Sequence, residues 1–185
     1  SFLAFGLPYT HESIIAYALR CIAEGPGAHV FMTMMGIVFI FKKRYDTQHI
    51  LKRAAIILCA GYALNMLKFI APYLLGGLPN GVLIDLQITP GRELIELLVI
   101  ADIFHFAAVA LIIAHFVYRL EDYWFWSTVM AIVTIVISPL LFDIHGNIYL
   151  LQLFTGAPPK VFFPVLSWIC YPLIGLSIGY FLERR

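Results

Sequence analysis

Asp102 and His105 are a carboxylate and an imidazole set three residues apart inside an apolar run, GRELIELLVIADIFHFAAVALIIAHFVYR. The run reads as one long helix from Gly91 to Arg119, and residues three apart share a helix face. An ionisable side chain at membrane depth costs a few kcal/mol at least, so it faces a partner, a cavity or a site. The preceding apolar segment, ILKRAAIILCAGYALNMLKFIAPYLL, carries Asn65 and Lys68 and runs the other way. At a rise of about 1.5 Å per residue, Asp102 lies roughly 9 Å and His105 roughly 13 Å below Glu96. Lys68 lies roughly 6 Å and Asn65 roughly 10 Å from the exit of their own segment, so all four share the outer half of the membrane. Two arrangements follow. In one, Lys68 pairs with Asp102 or Glu96, and Asn65 or His105 completes the network. In the other, Lys68 snorkels outward and Asp102 is satisfied by a backbone or hydroxyl group.

His11, His29 and His145 fall near the outer surface, with Glu12 and Asp143 close in sequence to two of them. These are metal-ligand types, but they come from three distant stretches without ligand spacing, so no metal site is expected. His115 reads as an interfacial histidine; His105 or His115 as a haem or chlorin ligand is the sharper alternative. The three cysteines, Cys21, Cys59 and Cys170, imply no disulfide framework. No phosphate-binding loop, serine elbow or paired-carboxylate signature is present, and no basic, aromatic-laced patch points to nucleic acid.

The elements that must position these groups are helices. The 185 residues are 62% hydrophobic and 12% charged, with mean hydropathy +0.90. A soluble domain carries about 25% charged residues. The fold class is therefore all-α, a single polytopic transmembrane bundle over residues 1–185. Five full spans are expected at roughly 28–43, 50–74, 94–118, 123–142 and 161–182, plus a partial N-terminal span. The opening SFLAFGL lacks a charged leader region and reads as the tail of an earlier helix whose beginning precedes Ser1. Gly25-Pro26-Gly27 and the Gly76–Gly81 stretch are turns. Gly175 and Gly179, and the Ala55, Cys59, Ala63 steps, read as close helix packing. Pro164 and Pro172 are expected to bend the last span around Trp168.

Lys42, Lys43, Arg44, Lys52, Arg53, Arg119, Arg184 and Arg185 gather on one side; the other has Arg20, Arg92 and Lys160, with Lys68 near it. The excess marks the cytoplasmic side and puts the C-terminus there.

Four segments, taken in order, resemble the membrane acyltransferases similar to heparan-alpha-glucosaminide N-acetyltransferase, in their small bacterial form. They are GPGAHVFMTMMGIVFIFKKR, LKRAAIILCAGYALNMLKFIAPYLL, DIFHFAAVALIIAHF and KVFFPVLSWICYPLIGLSIGYFL, covering most of residues 26–182. Two features depart from that family: its early Asp and Arg-Gly motif is absent, and its Gln-Arg pair is His105-Phe106 here. The resemblance implies transfer of an acyl group from a cytoplasmic acyl-coenzyme A to a sugar or similar acceptor outside, in a bacterial inner membrane. It also implies a catalytic histidine near the outer end of an early helix, for which His11 is the match, as base or as nucleophile. Asp102 and His105 join it as catalytic candidates. Asn65, Lys68, His29 and Trp168 are the substrate-binding candidates. The alternative is a non-catalytic subunit of a larger membrane complex, without cofactor, contacting lipid or pigment. A transporter is disfavoured by the absence of an internal repeat.

Overall fold

In hydrocarbon every backbone N–H and C=O must find a partner within the chain, so apolar runs of this length fold as helices. A computed structural model describes residues 26–41, 46–141, 149–156 and 160–184. Among them the chain forms helices and a single isolated bridge of β type. Helix α1 spans Pro26–Phe41 and opens on a proline, whose missing N–H costs nothing in a first turn. Helix α2 spans Thr47–Leu74. Its Met66–Ile70 stretch is π-helical, the widened ladder that accommodates Pro72, which has no N–H to offer and would crowd the carbonyl four residues back. Short α3 (Asn80–Asp85) and α4 (Glu93–Val99) follow, then α5 (Ile103–Tyr118) and α6 (Tyr123–Leu141). Helix α7 (Tyr149–Thr155) leads to α8 (Val165–Trp168) and α9 (Cys170–Glu183).

Three of these, Thr47–Leu74, Tyr123–Leu141 and the combined Val165–Glu183, are long and apolar enough to cross a membrane. Helices α1 and α5 are apolar but shorter, at 16 residues each. The continuous helix expected from Gly91 to Arg119 is two helices. The chain leaves helical geometry at Ile100 and re-enters it after Asp102, whose backbone is extended (φ −107°, ψ −179°). The polar residues Asp102 and His105, which the sequence places on a helix face, instead build the start of α5.

The main core joins α1, α2, α5, α6, α8 and α9 around Met32, Phe106, Leu173 and Leu176. A second, smaller core joins the end of α2 to α3 and α4 through Phe69, Leu86, Leu97 and Ile100. Helix α1 lies along α9, α2 along α5, and α6 along α9. The α1–α9 crossing is backbone against backbone. A Cβ on Gly175 would fall on the Thr33 carbonyl oxygen and within 3.0 Å of the Gly36 Cα, and one on Gly179 within 2.7 Å of Ile40. Small residues serve here as close-approach points, as in other membrane helix pairs. Hydroxyls tie α6 to α9, with Ser127 Oγ 2.6 Å and Thr128 Oγ1 2.9 Å from Ser177 Oγ.

Two packing expectations need correction. Ala55, Cys59 and Ala63 lie on an exposed face of α2; its buried seam runs through Ile50, Ala54, Gly61 and Asn65. Spacings of four, seven and four follow the 3.6-residue repeat, so small size alone misassigned the face. Pro164 does not bend a helix but precedes one, in extended geometry before Val165. The interruption at Ile169 falls where Pro172 supplies no N–H to the preceding turn.

The crossing predicts that Gly175→Ala lowers thermal stability in detergent by an overpacking cost of about 1–3 kcal/mol. Ala55→Leu, on the exposed face, should stay within about 0.5 kcal/mol. A Gly175→Ala protein that melts with the parent would contradict this helix contact.

Candidate functional site at a helix break

Leaving helical geometry at Ile100–Asp102 frees backbone groups that water cannot satisfy at depth. The structure gives partners to several of them. Asn65 projects from α2 and donates both amide hydrogens, to the Leu98 carbonyl at 2.9 Å and the Ile100 carbonyl at 2.8 Å. Ala101 N–H donates to the Lys160 carbonyl at 3.0 Å, and Phe162 N–H donates back to the Ala101 carbonyl at 3.1 Å. That two-bond parallel bridge is the β-type contact noted above. Asp102 caps α5. Its carboxylate accepts the Ile103 N–H at 2.7 Å, and its own N–H donates to His105 Nδ1 at 3.3 Å. The Asp102 carboxylate also accepts the His105 backbone N–H, and with the bond to Nδ1 this makes a capping box in which a histidine replaces the usual glutamate or glutamine.

The break walls a cavity of about 130 Å³ whose polar lining is Tyr62, Glu96, His105, Gln152 and Lys160. Glu96 is buried, and Lys160 Nζ donates to its Oε2 at 2.9 Å. The Thr89 N–H donates to the same oxygen at 3.1 Å. His105 is 4% exposed. Its ring meets Tyr62 edge-on at 4.7 Å and lies over Gly61, where a Cβ would come within 3.0 Å of the imidazole Cε1. Two buried polar atoms in this region have no hydrogen-bond partner among the described residues, His105 Nε2 and Asn65 Oδ1.

Of the residues expected from sequence, Asn65, Asp102 and His105 meet at the break. Lys68 sits in the π-helical stretch with its ammonium 4.9 Å from the Phe69 ring, and the Asp102 charge acts on it through space. Glu96 takes Lys160 as its cation. His29 and Trp168 come together near the starts of α1 and α9, with ring centroids 4.8 Å apart, and Tyr171 meets His29 edge-on at 4.7 Å. His115, expected at the interface, is buried, and its Nε2 lies 3.1 Å from Thr47 Oγ1. His11, Glu12, Asp143 and His145 lie outside the described residues. Among the described residues no group of three or more His, Cys, Asp or Glu side chains could hold a metal ion.

Tyr62, Gln152 and Gly61 escaped the sequence reading. Gly61 and Asn65 are four apart in GYALN and so share one helix face, a signal that points both toward α5. Lys160 was legible as the one cation in the stretch between α7 and α8, although its partner was not.

The break makes two stability predictions. Asn65→Leu strands two carbonyls at about 1–3 kcal/mol each, and Asn65→Asp, which sets a carboxylate against the same oxygens, should lose at least as much. A melting temperature unchanged by either would refute the brace. Lys160→Met leaves the Glu96 carboxylate buried without its cation, so it should destabilise more than the Lys160→Met/Glu96→Gln double variant. Additive losses in detergent melts would show that the pair is not coupled.

No curated protein and no solved structure matches the chain. The family model described as "Heparan-alpha-glucosaminide N-acetyltransferase, catalytic" matches residues 5–185. That match extends over nearly the whole sequence and includes all the segments that build the break and its cavity. The chain is an integral membrane protein that belongs to the heparan-alpha-glucosaminide N-acetyltransferase catalytic family.

Proposed function

We propose that the protein is a membrane acyltransferase that moves an acyl group from a cytoplasmic acyl-coenzyme A to an extracytoplasmic sugar or similar acceptor. Family membership supplies the reaction class. The observation that ties it to this chain is the polar cavity at the helix break, set inside an otherwise apolar bundle. Irregular backbone at membrane depth is tolerated where it is buried in protein or lines a cavity, and here it does both.

In this reading His11 takes the proton from the acceptor amine or hydroxyl, which attacks the thioester carbonyl. The carbonyl–sulfur bond breaks, the new amide or ester bond forms, and the proton passes to the departing thiolate. With His11 as nucleophile, the acyl group rests on its imidazole between two such exchanges. Asp102 acts as a positioning residue, since its backbone N–H holds His105 and its carboxylate starts α5. The His29–Trp168–Tyr171 cluster offers aromatic faces with polar edges, suited to a sugar ring. Asn65 and Lys68 support the same end of the bundle. The lysine and arginine asymmetry supports a bacterial inner-membrane orientation with the C-terminus cytoplasmic.

The test is acceptor-dependent release of coenzyme A by the purified protein in lipid vesicles, supplied with acetyl-coenzyme A and glucosamine. His11→Ala should lower the rate by about 100-fold or more while leaving the melting temperature unchanged. Full activity in that variant would remove His11 from the chemistry. A wild-type protein that releases no coenzyme A with amino-sugar or alcohol acceptors would refute the transferase reading.

A further inference from the structure

The bonding of His105 fixes which of its nitrogens carries the proton. Nδ1 accepts the Asp102 N–H, so it presents a lone pair. In a neutral imidazole the proton then sits on Nε2. An imidazolium would point an N–H at an N–H. The ring cannot turn over to exchange the two nitrogens without giving up that bond, and Gly61 and Tyr62 hold it from the side. His105 Nε2 is therefore a donor, and it is the buried nitrogen that has no partner among the described residues. An unmet N–H at depth costs about 1–3 kcal/mol. The chain carries that cost in a residue that lines the cavity beside the Lys160–Glu96 pair.

Resting on the acyl-transfer reading, we propose that His105 Nε2–H is a preset hydrogen-bond donor to the carbonyl oxygen of the transferred acyl group. Attack on the carbonyl turns that oxygen into an oxyanion. A fixed donor stabilises the charge as it develops, without reorganising. A neutral imidazole suits this task because its own proton stays in place. The same bonding removes His105 as the base, since its Nε2 lone pair is already protonated, and so leaves that task to another group. The cavity, at about 130 Å³, has room for several waters and so for an acyl carbonyl beside this donor. The acyl carbonyl occurs both in the thioester donor and in the acylated product, and the chemistry at His105 is common to the two.

The experiment uses whole protein in vesicles, with histidine labelled by 15N in the ring and His105 assigned from the His105→Gln spectrum, or from Gly61→Ala if that variant does not fold. The expected result is a neutral His105 protonated on Nε2, whose resonance moves on adding acetyl-coenzyme A or N-acetylglucosamine and stays put with coenzyme A alone. Movement with the first probe only assigns the donor's carbonyl; with the second only, the product's. A proton on Nδ1, or no movement with either probe, overturns the proposal. In turnover, His105→Leu should lower kcat by about 100-fold with KM little changed. His105→Gln, whose amide N–H can replace Nε2–H, should recover to within about tenfold of wild type. Equal losses in the two variants would count against a donor role. If the wild-type protein shows no transfer, the enzyme reading fails on that result, and the labelled-histidine spectra alone decide whether the cavity binds an acyl carbonyl.

Discussion

One side-chain amide decides whether this bundle can be broken in the middle. Asn65 reaches across from α2 and answers two carbonyls, those of Leu98 and Ile100, that an intact helix would have answered itself. Without a donor there, the backbone would have to remain helical through Ala101, because unpaired carbonyls in hydrocarbon are too costly. With it, the chain can stop at Val99, turn through three extended residues and begin α5 afresh at Ile103. The capping by Asp102, the placement of His105 and the cavity between α4, α7 and the stretch before α8 all follow from that interruption.

The helical class was legible in the sequence, and three of the five expected spans coincide with helices long and apolar enough to cross a membrane, because hydropathy over twenty residues is a strong and local signal. The grouping of Asn65, Asp102 and His105 was legible as well, from the rise per residue along two segments that run opposite ways. The break was not. LLVIADIFHF contains no proline or glycine, and its apolar spacing suits a helix on either side of the interruption. What opens it lies outside the segment, in Asn65 and in the Lys160–Phe162 backbone, and neither can be read locally. Asp-x-x-His is the one local sign, and it resembles a capping box only once a histidine is admitted at the position where glutamate is usual.

Ion pairing went the same way. Residues at depth suggested Lys68 as a cation for Asp102 or Glu96, yet Glu96 takes Lys160, 64 residues later. Sequence depth ranks candidates along the membrane normal but says nothing of their angular position around the bundle. Ala55, Cys59 and Ala63 failed for the related reason that small side chains permit close approach without requiring it. Gly175 and Gly179 succeed because α1 brings a glycine of its own, Gly36, to the same crossing.

The parallel bridge between Ala101 and Val161 adds a polar join between two groups of helices that also share the main core. On one side stand α2 and α5, packed along each other; on the other, α8 and α9, which carry α1 and α6. Two backbone hydrogen bonds and the Lys160–Glu96 pair span the join, and all three border the cavity. The stretch leading into the last helix therefore works as a tie rod. If α9 slides or tilts against α5, the movement is delivered to the cavity wall as a pull on Ala101, one residue from the cap that holds the imidazole. The geometry of that ring is thus set jointly by both halves of the bundle.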